Sequence, residues 1–216
     1  MFKYTVFFDM DKTLLTKNSG PLYFKYLLKT GQIKFKEYTK LLYMPIFYYL
    51  RIYELEDITS KLSNDFVGES KKKVYDRTDK WFKEYGINFI RKSMILEVEK
   101  HRERGAKLIL LSASPENVCH PVFKYFNLHE KICTRLIYEE DRFIGVEETS
   151  CYGEEKVRRV KEYMDKNHVD LEKAFFYSDS ISDLPFLKIV GNPICVSPDK
   201  KLKKYSEKNS WDIIEI

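Results

Sequence analysis

The chain has 216 residues, 44% of them hydrophobic and 15% aromatic, which is enough apolar material for one large domain or for a domain with an insert. Its 38 basic and 33 acidic residues leave a net charge of +5. Much of that charge alternates in sign along helical stretches, and no Lys/Arg cluster is interleaved with aromatics as a nucleic-acid stacking platform requires, so nucleic acid is not an expected partner.

Residues 4–16 open with an apolar and β-branched run, Tyr4 to Phe8, that suits a strand buried on both faces of a parallel sheet. Asp9 and Asp11 follow at the carboxyl end of that strand, where open parallel sheets place their ligands. In extended chain, residues i and i+2 point to the same side, so the two carboxylates converge. Two close anions either share a proton or attract a cation; an acidic turn that caps the next element is the alternative.

Residues 17–31 read as a short helix ending at Gly31, and 34–54 as a second, aromatic-rich helix kinked at Pro45. Leu41, Met44, Phe47, Tyr48 and Tyr49 would form an apolar wall for core packing, for a hydrophobic substrate or for a membrane surface. The longest apolar run, Leu41 to Leu50, is too short to span a bilayer, so no stable membrane anchor is expected. Helices are expected at 56–66 and 69–85, with no strand between about 17 and 88, which implies a helical insert after the first strand.

A helix at 89–104 ends at Gly105, and a second buried strand, Lys107 to Leu111, runs into Ser112-Ala113-Ser114-Pro115. Hydroxyls and free amides at a strand end make a phosphate seat, although a serine before proline at a helix start is also an ordinary cap. Residues 132–149 alternate like a strand, with a turn at Glu140-Asp141-Arg142. Lys156 falls in the first turns of the next helix, an unfavourable place for a cation that has no partner. A third buried strand, Ala174 to Ser178, ends in Asp179. Asp183 then starts a short helix over 184–190, where it could serve merely as a cap. A fourth strand at 194–196, a helix at 198–208 and a last strand near 211–216 complete an αβ series that implies a parallel α/β sheet. Cys119, Cys133, Cys151 and Cys195 show no zinc spacing. Scattered thiols, and a strand rather than a leader segment at the N-terminus, fit the cytoplasm.

In a parallel sheet all of these strand ends share one edge. There the ordered set Asp9-x-Asp11-x-Thr13, Ser112, Lys156 and Asp179-x-x-x-Asp183 resembles the four motifs of the haloacid dehalogenase-like superfamily. The stretches Leu111 to Glu116, Gly153 to Lys156 and Ser178 to Pro185 resemble its phosphoserine-phosphatase-like branch, and the resemblance covers essentially the whole chain. It implies a three-layer, Rossmann-like parallel-sheet core over 1–16 and 89–216, with a helical cap over 17–88. It implies a phosphomonoester hydrolase acting on a small phosphorylated metabolite. Asp9 would form an aspartyl-phosphate, and Asp11 would act as acid and then base. Ser112, Ala113 and Lys156 would hold the phosphoryl group. Mg²⁺ would be held by Asp9, the Met10 carbonyl and Asp179, with Asp11 a further candidate donor and Asp183 supporting from behind, and Thr13 would shape the loop. Phosphotransfer at the same site, or a lipid-phosphate phosphatase at a membrane surface, are the alternatives. The family glutamate that reads the ammonium of phosphoserine has no counterpart in Thr16-Lys17-Asn18-Ser19, so phosphoserine is not the expected substrate.

Overall fold

The computed structural model describes residues 2–33 and 66–215. The expected helices over 34–54 and 56–66, the kink at Pro45 and the aromatic wall from Leu41 to Tyr49 lie outside the described residues, apart from Phe66. Strands β1 (Tyr4–Phe8), β2 (Ala106–Pro115), β3 (Glu130–Thr134), β6 (Phe175–Ser178), β7 (Asn192–Val196) and β8 (Asp212–Ile214) form the main sheet. β4 (Leu136–Glu139) and β5 (Arg142–Val146) form a separate antiparallel pair. The main sheet runs β3-β2-β1-β6-β7-β8, parallel at every step.

The strands are apolar along their whole length because both faces of the sheet are covered. Side chains of a strand alternate between faces. Val6 and Phe8 join Leu108 and Leu110 in one core with Trp81, Val98 and Val122, while Phe7 joins Ile109 and Leu111 in another with Val160, Phe186 and Leu202. Helices α3 (Lys92–Glu103) and α4 (Glu116–Tyr125) supply the first face. Helices α5 (Glu154–Met164), α6 (Leu184–Leu187) and α7 (Lys200–Lys208) supply the second. The result is a three-layer α/β sandwich.

Between β1 and α3 the chain leaves the sheet through α1 (Ser19–Lys29) and returns through α2 (Lys71–Glu84) and a 3-10 turn, Gly86–Phe89. Ser70 caps α2, its hydroxyl accepting the Lys73 amide at 3.3 Å, and Val74, Thr78, Trp81 and Phe82 form the buried stripe of that helix. Exit and return lie side by side. Leu15 pairs with Ile90 in an antiparallel bridge, the Thr16 amide donates to the Phe89 carbonyl at 2.8 Å, and the Arg91 amide donates to the Leu14 carbonyl at 2.9 Å.

The segment over 132–149, expected to alternate like a strand with a turn at Glu140-Asp141-Arg142, contributes to three strands in the structure. Glu130–Thr134 is the edge strand of the main sheet, with Cys133 and Thr134 buried against it. Beyond Arg135 the chain forms a half-solvated hairpin, turned by Glu140 and Asp141 at φ of 45° and 64°, the left-handed pair that matches hairpin twist. The hairpin docks on the segment preceding α2: the Gly68 amide donates to the Phe143 carbonyl at 2.8 Å and the Lys71 amide to the Asp141 carbonyl at 2.9 Å. No helix among the described residues is long and apolar enough to cross a membrane, and all four cysteines are free and buried.

Candidate active site

The carboxyl ends of β1, β2 and β6 and the start of α5 surround one cavity of about 390 Å³. Asp9, Asp11, Ser112, Ala113, Lys156, Asp179 and Asp183 all line it.

The Asp9 amide extends the β1 ladder by donating to the Tyr177 carbonyl at 2.9 Å. The chain then turns abruptly. Lys12 adopts a left-handed conformation at φ 57°, and the Leu15 amide closes a wide turn on the Met10 carbonyl at 2.9 Å. Arg91 clamps this turn from below, donating from Nε to the Thr13 carbonyl at 3.0 Å and from Nη2 to the Lys12 carbonyl at 2.6 Å. Met10 is fully buried and does not line the cavity. Its carbonyl closes the turn by accepting the Leu15 amide.

Asp11 shares the cavity with Asp9 and is bonded by two serines. Its Oδ1 accepts the Ser19 amide at 2.8 Å, and its Oδ2 accepts the Ser19 and Ser114 hydroxyls at 3.1 Å each. Burial raises its pKa above the ordinary carboxylate value, against the opposing hydrogen bonds from Ser19 and Ser114.

Lys156 is the electrostatic centre of the cavity and is 2% exposed. Its Nζ lies 2.8 Å from Oδ1 of Asp9 and 2.8 Å from both carboxylate oxygens of Asp183. Gly153 makes this reach possible: at φ 56° it turns the chain into α5 so that Lys156 faces the sheet rather than solvent. Burial alone would lower the lysine pKa, but Asp183 and Asp9 outweigh it and hold the ammonium charged. Burial pushes the Asp9 carboxyl well up; Lys156 opposes this while Asp183 and Asp179 add to it.

Ser112 lies at a bulge. The register of β2 against β3 jumps between Ser112 and Pro115, and the Thr134 hydroxyl donates to the freed Ala113 carbonyl at 2.6 Å. The Ser112 hydroxyl accepts the Ser114 amide at 3.2 Å. On β6, Ser178 donates to Asp183 Oδ2 at 2.6 Å, and Asp199 holds the following loop by accepting the Ile181 amide at 2.7 Å. Burial holds the Asp179 carboxyl up at about 7, against the pull of Lys12. Thr13 is fully buried beneath the turn.

Sequence reasoning did not find Ser19, Ser114, Ser178, Arg91 or Asp199. Ser114 and Ser178 each lie within two residues of a motif position, which was a usable signal. Arg91 and Asp199 carried none, because their partners are distant in sequence.

Three buried carboxylates, Asp9, Asp179 and Asp183, are set against the buried Lys156 ammonium and the buried Arg91 guanidinium, which acts on Asp179, so negative charge remains in excess. Among the described residues no three acidic, histidine or cysteine side chains are spaced to enclose a metal ion by themselves. A small hard dication needs only one or two carboxylates and completes its shell with water and phosphate oxygens. The oxygen donors of Asp9 and Asp179 at one rim of the cavity fit that requirement.

A family model described as haloacid dehalogenase-like hydrolase matches residues 6–188. A probable phosphatase of Mycobacterium tuberculosis is 26% identical over 211 residues, 96% of this chain and 74% of that protein. A histidinol-phosphatase of Neisseria meningitidis is 26% identical over 96% of each chain. Among solved structures, a Bordetella pertussis protein of unknown function shares the fold at a TM-score of 0.89, with 22% identity and 99% of each chain covered. A phosphoserine phosphatase solved with an analogue of its phospho-aspartyl intermediate shares it at 0.67, with 15% identity over 100% of this chain and 94% of that one.

Proposed function

The chain belongs to the haloacid dehalogenase-like hydrolase family, and from that premise we propose that it is a phosphomonoesterase working through an aspartyl-phosphate on Asp9. One observation carries the reading: Asp9 contacts a buried ammonium, while Asp11, two residues on, lines the same cavity with its carboxylate hydrogen-bonded by Ser19 and Ser114. Lys156 supplies the positive charge that opposes the burial of Asp9 and favours its carboxylate form, as a nucleophile needs. Asp11, whose carboxyl pKa burial also raises, is the second acid of the cavity and is placed to serve as proton donor.

In the first step an Asp9 oxygen attacks phosphorus in line, the ester P–O bond breaks, and Asp11 gives its proton to the departing alkoxide. In the second, Asp11, now a carboxylate, takes a proton from water. The hydroxide attacks phosphorus, the P–O bond to Asp9 breaks, and inorganic phosphate leaves. Lys156, the Ser112 hydroxyl and the backbone at Ala113 hold the phosphoryl oxygens through both steps. Mg²⁺, held by the Asp9 and Asp179 carboxylates with Asp183 behind them, would neutralise phosphoryl charge; the excess of buried carboxylate supports this. Residues 17–88 serve in this reading as a cap over the site, a role supported by the adjacent exit and return strands at Leu15 and Ile90. Free, buried cysteines support action in a reducing compartment.

The test is phosphate release from a phosphomonoester panel with Mg²⁺ or with EDTA, for the wild type and Asp9→Asn. The panel includes phosphoserine and histidinol phosphate, the substrates for which similar proteins are named. Magnesium-dependent turnover that is lost in Asp9→Asn, with a mass increment of one phosphoryl group on Asp9 after acid quench, is the expected result. Turnover that survives the substitution overturns the assignment of Asp9.

A further inference from the structure

A second cavity, of about 120 Å³, adjoins the phosphoryl site. The two share Gly20, Ser114 and Pro115. Ser114 is also the residue whose hydroxyl donates to Asp11. Asp11 is the proton donor to the alcohol oxygen, so the shared wall is the leaving-group side of the reaction.

The rest of the annex is mostly apolar, built from Tyr23, Phe24, Phe66, Val74 and Phe143. Arg77 is the one charged residue of its lining among the described residues, and it is already engaged. Its guanidinium pairs with Glu69, donates from Nε to Gln32 at 3.1 Å and lies 4.4 Å over the Phe66 ring. The lining therefore offers no open charge to read an ammonium or a carboxylate. Asn117 is the exception to the apolar wall. It is 8% exposed, and it lines the annex beside Pro115 and Val118. Its side-chain amide offers both a donor and an acceptor to a polar ligand atom.

We propose that the alcohol half of the substrate carries a single five- or six-membered ring that fills this annex, with a hydrogen-bonding edge turned to Asn117. An apolar cavity of about 150 Å³ takes one benzene ring, and the annex, about 120 Å³ and open toward the phosphoryl site, is of single-ring size. The inference rests on the phosphomonoesterase reading and adds the class of leaving group to it.

The experiment measures kcat/KM with Mg²⁺ for ethyl, 2-phenylethyl, 2-(imidazol-4-yl)ethyl and 2-(2-naphthyl)ethyl phosphates. Both single-ring esters are expected to exceed ethyl phosphate at least tenfold, imidazolyl above phenyl, with the naphthyl ester falling back. Val74→Phe, which fills the annex, is expected to cut the ring-to-ethyl ratio tenfold or more. Gly20→Leu narrows the shared wall where a Cβ meets nothing within 4 Å, and it serves the same purpose should Val74→Phe not fold. Asn117→Leu is expected to remove the advantage of imidazolyl over phenyl. Equal kcat/KM for ethyl and ring esters overturns the annex, and an unchanged imidazolyl-to-phenyl ratio in Asn117→Leu overturns the polar edge. A separate readout needs no turnover: 2-(imidazol-4-yl)ethanol at millimolar concentration, followed by ligand-detected NMR. Binding that is lost in Val74→Phe supports the annex even if no ester is hydrolysed, a result that would overturn the phosphatase reading alone. No binding to the wild type overturns the annex.

Discussion

The Nζ of Lys156 lies 2.8 Å from Oδ1 of Asp9, across 147 residues of sequence, and both residues are buried. This contact sets the charge state of the cavity. Removing the ammonium in Lys156→Met leaves Asp9 and Asp183 as buried carboxylates without a counter-charge. Breaking a buried pair from one side costs about 3–5 kcal/mol, and losing a preorganised charge at a phosphoryl group costs about 10²–10³ in kcat. The expected outcome is a large drop in the urea midpoint together with the loss of activity. Lys156→Arg is expected to fail as well, because a planar guanidinium does not reproduce a point contact with two carboxylates.

The same excess of carboxylate predicts a metal response that is independent of turnover. Mg²⁺ alone is expected to raise Tm, since an ion that binds only the folded state stabilises it by mass action. Asp179→Asn is expected to abolish that rise. An equal shift in both proteins would remove Asp179 from the metal assignment.

Asp11 should reveal its role through leaving-group dependence. Asp11→Asn is expected to lower kcat/KM about 10²–10⁴-fold for an alkyl phosphate. The loss should be much smaller for p-nitrophenyl phosphate, whose leaving group departs without a proton. Ser114→Ala removes one hydrogen bond to Asp11 and is expected to shift the alkaline limb of the pH–rate profile upward, because that bond favours the ionised form. Equal losses on both substrates would assign Asp11 a structural role only.

Beneath the sheet, His101 is 2% exposed, bonded through Nδ1 to Tyr4 at 2.9 Å and through Nε2 to Tyr177 at 2.7 Å. Burial lowers its pKa to about 4, with Glu97 opposing and Arg104 and Lys100 adding to the shift. In the unfolded chain this group takes a proton near 6.5. The unfolded state therefore binds more protons between the two values, and stability falls as pH drops from about 6.5 toward 4. Urea midpoints of wild type and His101→Gln are expected to converge as pH falls through that window. A constant gap would remove His101 as the source.

Arg91 holds the turn that carries the acidic pair, through the Lys12 and Thr13 carbonyls. Arg91→Leu leaves those buried carbonyls short of a donor. It is expected to cost about 1–3 kcal/mol of stability, and activity should fall with it, as the turn sets the angle of Asp9. A stable variant with full kcat/KM would show that the turn holds its shape without the clamp.

The sequence alone determined β1, β2, β6 and β7, because strands buried on both faces must be continuously apolar, and these were legible as runs such as Val6-Phe7-Phe8 and Leu108-Ile109-Leu110-Leu111. It also determined that Asp9, Ser112 and Asp179 share an edge, since parallel strands all end on one side. Only the tertiary structure decided which atoms face which. Asp9 and Asp11 line one cavity, but the partners of each were not legible: Lys156 lies at Asp9, Ser19 and Ser114 at Asp11, and the Met10 carbonyl accepts the Leu15 amide. The hairpin over 136–146 and the apolar annex depend on contacts between segments about 70 residues or more apart, such as Gly68 with Phe143. Local periodicity reports whether a residue is buried and with what spacing. It does not report the partner, because that is fixed by the packing of elements that the chain brings together only when it folds.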